Sequence, residues 1–305
     1  MPTLPAAGSQ SITKVIREIT WGVTPATTPT FLQLPVESNS LQLAKTTLVD
    51  NTLRSDRMGG DVRPGMKKVT GGIKFNYKRG DFDDILANLF QAEWATNVLK
   101  PGKTAISHSI ETGYADISQF ILFKGWQANT MSLSVKPNSL ISCSIDGIAK
   151  TPSAPTSVTG ATTTTASTTN EVFDSFTGSI TEGGSSIATI TGIDIAFTNN
   201  LTESNVIFSD TIGALLAGNI GITGTLTAQF WDATLYNKFF NNTASSISFT
   251  LTDVATKIHT WAFPKIMYTS GDINPSGPGE LSISMKFNVQ YDSTSTNKCS
   301  LTRTV

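Results

Sequence analysis

The sequence predicts a mainly β protein with two tandem β-sandwich or β-barrel domains and one helix in each domain. Three observations lead to this prediction. A strand-and-helix segment occurs twice, apolar residues elsewhere alternate with polar ones, and only 15% of the 305 residues are charged while 39% are apolar. Alternation with a period of two is typical of strands that have one buried face. Abundant Thr, Ser, Asn and Gly favour a β-rich structural protein over a metabolic enzyme.

The first copy of the repeated segment spans residues 69–90. Ile73, Phe75 and Tyr77 alternate with polar residues and predict a strand. Asp81 then stands where the N-cap of a helix is expected. The apolar stripe of that helix follows at i, i+3, i+4, i+7 and i+8, in the order Phe82, Ile85, Leu86, Leu89 and Phe90. We expect this stripe to anchor the helix in the core of the first domain.

The second copy spans residues 222–240. Its predicted N-cap is Asp232, and its stripe consists of Leu235, Tyr236, Phe239 and Phe240. Each of these four stripe residues lies 150 positions after its counterpart in the first copy. The strands match at a separation of 153, with Ile222 corresponding to Val69, so the turn of the second copy is three residues shorter.

Matches further along the chain extend the repeat. Residues 106–110 correspond to 247–251, residues 120–123 to 261–263, and residues 139–146 to 280–288. The chain is therefore predicted to be a tandem duplication of one unit made mostly of strands with one helix.

The predicted boundaries follow from composition. The first domain spans residues 1–150 and begins with an arm over residues 1–40 that needs another surface to pack on. Residues 151–170 are rich in Thr, Ser and Pro and contain no acidic or aromatic residue. Such a segment buries too little apolar surface to order itself, so it is predicted to be the interdomain linker. The second domain spans residues 171–305 and ends in a polar tail.

A long basic loop is predicted over residues 44–68, where strand signals are few. Its basic side chains are Arg54, Arg57, Arg63, Lys67 and Lys68. Three interpretations stay open: a solvated loop, a contact arm that docks on an acidic neighbour, and a nucleic-acid-binding loop. The last is the weakest, because the loop has no aromatic residue on which a base could stack.

The charge is distributed unequally between the two halves. Residues 1–150 contain sixteen Lys and Arg against twelve Asp and Glu, whereas residues 151–305 contain six against eleven. The counterpart loop in the second half, residues 202–221, carries Glu203 and Asp210 and no basic residue. Complementary loops on alternating domains would set the register of a self-assembling ring.

No catalytic constellation can be assembled from the sequence. His108 and His259 lie in predicted strands and are interpreted as structural residues. The acidic cluster of Asp81, Asp83 and Asp84 lies at a helix start, where carboxylates cap backbone N–H groups. There is neither a phosphate-binding Gly-rich loop followed by Lys-Ser/Thr nor a Gly-x-Ser-x-Gly motif. We therefore expect no enzyme activity, no cofactor and no metal site.

The two cysteines do not form a recognisable framework. Cys143 is predicted to be buried with Ile141 and Ile145, and Cys299 lies in the predicted polar tail. No apolar run is long enough to predict a membrane-spanning helix, and the first 22 residues do not resemble a Sec signal. We expect a protein that is made in a cytoplasm and that leaves only within a larger particle.

Short motifs occur at residues 55–57, 61–65 and 69–73, just before the helix, and at residues 173–180, 199–200 and 248–251. Together with the helix they carry a resemblance to the major tail tube proteins of long-tailed, siphovirus-type bacteriophages. It implies β-sandwich subunits with a flanking helix that form stacked rings around a lumen through which DNA passes. It implies no catalysis.

The resemblance also implies partners and a location. The chain would assemble with itself and with other tail proteins (tape measure, terminator and tip), and it would belong to the virion after assembly in the host cytoplasm. Family members commonly form rings of six single domains, so a chain with two domains would close the same ring as a trimer with pseudo-sixfold symmetry rather than as a hexamer.

The lumen of such a tube must let a polyanion slide, so few exposed cations should line it. The basic loop is therefore expected to point to a neighbouring subunit or ring. The alternative function is that of a fimbrial, surface-layer or adhesin-type repetitive β-protein. The absence of a recognisable secretion signal disfavours it.

Overall fold

Nearly all of the regular structure is β-strand. The computed structural model describes residues 5–53, 55–56, 58–187, 189–253, 257–273, 275 and 278–304. The strands are β1 (Ser11–Arg17), β2 (Thr30–Leu34), β3 (Ser38–Asn39), β4 (Gln42–Val49), β5 (Val62–Asn76), β6 (Val98–Leu99), β7 (His108–Tyr114), β8 (Gln119–Val135), β9 (Ser142–Ala149), β10 (Thr151–Pro152), β11 (Thr163–Thr165), β12 (Gly178–Glu182), β13 (Ser185–Ser186), β14 (Ile190–Thr198), β15 (Thr202–Ser204), β16 (Ala214–Leu216), β17 (Gly221–Gln229), β18 (Ser245–Thr252), β19 (Ile258–Ile273), β20 (Ser282–Val289) and β21 (Ser300–Arg303). The α-helices of the described residues are α1 (Asp83–Phe90) and α2 (Thr234–Phe240), and short 3₁₀ turns lie at Gly8–Gln10 and Ala115–Ile117. The predicted mainly β fold with two helices is confirmed.

One continuous antiparallel sheet runs through both halves of the chain. Its strand order is β4–β5–β9–β8–β14–β17–β20–β19, and it is called the long sheet below. The junction between the halves is the pairing of β8 with β14. Because this junction is made of ladder hydrogen bonds, the two halves are joined by backbone as well as by side chains.

A second layer covers part of the long sheet. In the first half it consists of β2, β1, β7 and the first part of β8, and in the second half of β12, β18 and the first part of β19. β8 and β19 therefore belong to both layers. β8 has a register shift against β9 between Ala128 and Thr130. β19 has a register shift against β20 between Tyr268 and Ser270. Such bulges let a long strand bend from one layer into the next.

The first helix stripe is buried as predicted. Ile85, Leu86, Leu89 and Phe90 are at most 1% exposed, and the Phe82 ring stacks on Phe75 with 3.6 Å between ring centroids. Burial of each large apolar side chain stabilises the fold by roughly 1.5–3 kcal/mol. This stripe therefore fixes α1 in the core.

The second helix stripe is buried only in part. Leu235 is buried and Tyr236 and Phe239 are half-buried, but Phe240 is 71% exposed. The prediction that Phe240 anchors the second domain is wrong for the isolated chain, because the described residues bring no second layer over this end of α2.

The predicted N-cap of the first helix is also wrong. Helix α1 begins after Phe82 without a side-chain cap. Asp81 is buried, forms an ion pair with Lys78 at 2.7 Å and accepts a hydrogen bond from the backbone N–H of Thr168. At α2, Asp232 Oδ1 accepts the Thr234 N–H at 2.7 Å, although the cap position itself is Ala233.

Several segments predicted to be irregular are paired strands. β1 and β2, which lie in the predicted arm, pair with each other, and β1 also pairs with β7. Within the predicted linker, β10 pairs with β8 and β11 runs parallel to β2. In the predicted tail, β21 pairs with β19 and β6, and Cys299 is buried. Backbone hydrogen bonds order these segments, a contribution that composition does not register. In β2 and β21 the buried side chains of Phe31, Leu34 and Leu301 add to it.

Candidate assembly surface

The predicted basic loop is a β-hairpin formed by β4 and β5. Its outer part, described over residues 45–53, 55–56 and 58–64 and called the hairpin tip below, is largely exposed. Five large apolar side chains of the tip are between 53% and 99% exposed: Leu48, Val49, Leu53, Met58 and Val62. An exposed apolar group of this kind is typical of a protein–protein interaction surface.

The predicted contact residues fall on different parts of this hairpin. Arg63 is exposed on β5, opposite Leu48 of β4. Lys67 and Lys68 lie nearer the body of the protein and are half-buried. Arg54 and Arg57 lie outside the described residues. The structure therefore divides the predicted cluster into an exposed end and a base.

The base of the hairpin contacts the acidic loop of the second half. Lys67 Nζ lies 2.5 Å from Asp210 Oδ2, and Lys68 Nζ lies 2.9 Å from Glu203 Oε1. The Lys67 backbone N–H also donates to the Asp210 carbonyl at 2.7 Å. The hydrogen bond from Lys67 holds the pKa of Asp210 below its usual value. The two complementary loops, which we expected to meet between ring neighbours, thus meet inside one chain.

These surface ion pairs should contribute little to stability. A double-mutant cycle with Lys67→Ala and Asp210→Ala is expected to give a coupling energy of about 0.2–1 kcal/mol, because both side chains are partly exposed to solvent and salt. Urea unfolding at two salt concentrations measures it. A coupling above about 2 kcal/mol would mean that the pair is shielded from water.

The long sheet ends in two open edges. Within the described residues, β4 pairs only with β5, and the part of β19 after Ile266 pairs only with β20. An edge strand presents unpaired N–H and C=O groups that can bind a further strand. The two edges lie at opposite ends of the sheet, so one could pair with the other edge of a second copy.

The two helices have different surroundings. Phe90 of α1 packs against the second half, with its ring centroid 5.7 Å from Phe197 and 6.0 Å from Trp261. Asn199 Nδ2 also donates to the Leu89 carbonyl at 2.8 Å. For Phe240 of α2, the described residues provide no comparable ring contact. Helix α2 therefore keeps an exposed aromatic end where α1 is covered.

The two histidines lie in strands, as predicted, and are engaged in packing. His108 lies 2.7 Å from Asn88 Nδ2 through Nδ1 and 2.7 Å from Asp84 Oδ2 through Nε2. His259 Nδ1 lies 2.6 Å from the Tyr77 hydroxyl, and burial lowers the pKa of His259 to about 4. A base with this pKa is neutral at pH 7 and has no free path to solvent.

The acidic cluster is likewise taken up by structural contacts. Asp83 forms an ion pair with Arg303, and Asp84 pairs with Arg17 as well as His108. Burial alone would raise the pKa of Asp84, but the hydrogen bonds and charges of its two partners lower it below the usual value. The carboxylates of α1 therefore tie the helix to β1, β7 and β21, and Asp83 Oδ1 also accepts the backbone N–H of Gly80 at 3.3 Å.

The cysteines are both buried thiols, and burial raises the pKa of each above its usual value. This confirms the prediction for Cys143. No group of three or more His, Cys, Asp or Glu side chains that could hold a metal ion occurs in the part of the chain that the structure describes. Neither described helix is long and apolar enough to span a membrane.

Sequence reasoning missed the open edge of β19 and the apolar character of the hairpin tip. The tip carried a usable signal, since Leu48, Val49 and Val62 are apolar residues without an obvious partner in a stretch assigned to a polar loop. It also missed Glu18, a buried carboxylate that accepts hydrogen bonds from Ser107, Ser109 and two backbone N–H groups. No sequence pattern marks that residue.

A β-rich chain with a continuous sheet, two open edges and an exposed apolar hairpin has the features of a structural assembly protein. The model of the phage tail tube protein family matches residues 8–289, and the chain belongs to this family of phage tail structural proteins. Among solved structures, a chain of the cryo-EM structure of the anti-feeding prophage (AFP) baseplate, 6-fold symmetrised, is similar over 53% of this chain and 89% of its own length. The identity is 9% and the TM-score is 0.27. No curated protein matches the sequence.

Proposed function

We propose that the protein assembles into stacked rings that form the hollow tail tube of a long-tailed, siphovirus-type phage, the conduit through which DNA reaches the host. The observation that carries this proposal is the long sheet with an open edge at each end. A twisted sheet with complementary edges can close into a barrel when copies join edge to edge. The family assignment supports the same conclusion.

We further infer that the chain is a duplicated tube unit. The pairing order β4–β5–β9–β8–β7–β1 in the first half has a counterpart in β14–β17–β20–β19–β18–β12. Helix α1 follows β5, and helix α2 follows β17, the strand at the same place in the second order. Three chains would then supply six units and close a pseudo-sixfold ring.

The ring would act as part of a larger tail. Its other partners would be the tape measure, terminator and tip proteins, and DNA would pass through the lumen without recognition of its sequence. The location would be the virion, with assembly in the host cytoplasm.

The hairpin tip is the proposed contact between successive rings. It combines exposed apolar side chains with the exposed cation Arg63, and Arg54 and Arg57 belong to the same stretch of the sequence. The half-buried base of the hairpin holds it in place through Lys67 and Lys68. Apolar contact would supply affinity, and the cations would select an acidic surface on the next ring.

Neutralising Arg54, Arg57 and Arg63 together to Gln is expected to abolish tube polymerisation while the chain stays folded. The reason is that these cations act between rings and not within the fold. Electron microscopy counts the tubes, and circular dichroism checks the fold. A matched control replaces three exposed lysines of the same half, Lys100, Lys103 and Lys136, by Gln. Normal tubes from the triple arginine variant would contradict the role of the tip.

Negative-stain microscopy and mass measurement of the purified protein test the function itself. The expected result is hollow rings or tubes built from rings of three chains. Solid filaments without a lumen would instead favour the fimbrial or surface-layer alternative, and a protein that stays monomeric at every concentration would contradict both.

A further inference from the structure

We propose that neighbouring chains join through a copy of the junction that already exists inside each chain. In this junction the second part of β19 pairs with β3 and β4 of the next chain, in the register that β8 and β14 use. The inference rests on the proposed ring assembly. The place where two neighbouring chains join through these strands is called the seam below.

The internal junction provides the template. Thr130 lies opposite Thr198, Ser132 opposite Ala196, and Ser134 opposite Asp194 in an antiparallel ladder. Ser134 Oγ donates to Asp194 Oδ1 at 2.5 Å across the two strands. On one side of this junction β8 continues to β9, and on the other side β14 continues to β17.

The ladders themselves identify the counterpart of β8. β8 shifts register against β9 between Ala128 and Thr130, and β19 shifts register against β20 between Tyr268 and Ser270. If the two shifts are equivalent, each residue of β8 corresponds to the residue of β19 that lies 140 positions later in the sequence. Ser270 and Asp272 of β19 therefore occupy the places that Thr130 and Ser132 occupy on β8.

The counterpart of β14 follows in the same way. Phe197 of β14 lies opposite Ile222 of β17, and Leu43 of β4 lies opposite Val69 of β5. Ile222 and Val69 are the strand positions that match between the two copies of the repeat. Each residue of β4 therefore corresponds to the residue of β14 that lies 154 positions later in the sequence. Gln42 and Ala44 of β4 are thus equivalent to Ala196 and Thr198 of β14.

Copying the register places Asp272 opposite Gln42 of the next chain and Ser270 opposite Ala44. Both strands are available, since within the described residues the outer edges of β4 and of β19 beyond Ile266 are unpaired. The occupant must be a second copy, because one chain carries the two edges at opposite ends of a single sheet. Only another chain can bring them together.

The helices supply independent support for the same arrangement. Phe90 of α1 is 1% exposed because the second half covers it with Phe197 and Trp261, whereas its counterpart Phe240 is 71% exposed. The residues equivalent to Phe197 and Trp261 are Leu43 and Ile121 of the first half. Leu43 is 39% exposed in the chain by itself. A copied junction would lay Leu43 and Ile121 of the next chain over Phe240 and cover the apolar surface on both sides.

A disulfide across the seam tests the register. The variant Gln42→Cys with Asp272→Cys is expected to form disulfide-linked chains in assembled rings, because directly opposed residues of an antiparallel ladder are about 4.5–5.5 Å apart at Cα and lie within disulfide range. The control Lys45→Cys with Asp272→Cys displaces one thiol by three residues, about 10 Å along the strand. Native Cys143 and Cys299 are buried and leave little background. Non-reducing gels of oxidised assemblies should show at least about tenfold more linked chains for the opposed pair than for the control.

Rings or tubes that form with no more cross-linking at Gln42/Asp272 than in the control would overturn the copied junction and leave the tube function standing. Failure of the unmodified protein to assemble would overturn the tube function, and the junction with it.

A third variant tests the seam without thiols: Phe240→Ser is expected to lower ring formation at least about tenfold while the monomer keeps its melting temperature. Val158→Ser, which changes an equally exposed side chain in the segment between β10 and β11, should leave assembly unchanged. Equal assembly of the two variants would overturn the proposed role of α2.

Discussion

Replacing Phe90 by alanine is expected to lower the free energy of unfolding by about 3–5 kcal/mol, whereas Phe240→Ala should change it by less than about 0.5 kcal/mol. The two residues occupy equivalent places in their helices, yet one is 1% and the other 71% exposed. Truncation of Phe90 leaves a cavity between α1, Phe197 and Trp261, and the tightly packed strands around it cannot collapse to fill it.

Urea unfolding of the unassembled chain, followed by tryptophan fluorescence, measures both changes. The Phe240 variant is the control because the removed atoms are the same and only the surroundings differ. Comparable destabilisation by the two substitutions would mean that α2 is covered within its own chain, and it would remove the contrast on which the assembly surface depends.

Acidification from pH 7 to pH 4 is expected to destabilise the fold by about 3 kcal/mol through His259 alone. The pKa of His259 is lowered from 6.5 to about 4 by burial, and its Nε2 has no hydrogen-bond partner among the described residues. The folded chain therefore resists protonation where the unfolded chain accepts it. This contribution to stability is fully present above about pH 6.5 and is lost as the pH falls towards 4, at about 1.4 kcal/mol for each pH unit.

Urea unfolding at pH 7 and at pH 4 measures this loss, and His259→Gln is the control. Carboxylates such as Asp84 also lose favourable contacts in acid, so the informative quantity is the difference between the two proteins. The variant should lose about 3 kcal/mol less than the unmodified protein over this range. Equal losses would show that His259 does not titrate with a depressed pKa.

Periodicity predicted the parts of the fold that depend on apolar side chains. The stripe of α1 and the alternation in β5 give a clear signal because the residues that face the core are apolar and those that face away are polar. Burial of Cys143 followed from the same alternation in β9. These features are local, and a single sequence contains them in full.

Pairings between polar segments could not be predicted in this way. β11 consists of three exposed threonines and is held by backbone hydrogen bonds to β2, a strand far away in sequence. The basic loop became a hairpin for a related reason, because β4 and β5 pair through their backbones while most of their outer side chains face solvent. Composition records side chains, so it gave the wrong structure for both segments.

The charges of the candidate surface can be read from the sequence, but their arrangement cannot. Lys67, Lys68, Glu203 and Asp210 were identified as complementary charges, yet charge alone does not say whether two loops meet within one chain or between chains. Likewise, the helix repeat makes Phe90 and Phe240 equivalent, and only the three-dimensional structure shows that Phe90 is buried and Phe240 is exposed. The missing information is the position of the second half, which no local pattern encodes.

The strands β8 and β14 pair within one polypeptide, so dilution cannot separate them as it separates subunits. A subunit with a single unit would have to find a partner for every seam of a ring by diffusion. Under the proposed duplication, each molecule would arrive with one seam already formed, and half of the seams of a closed ring would need no encounter between molecules. Under this duplication, joining two units in one chain would make the first ring form faster at low protein concentration.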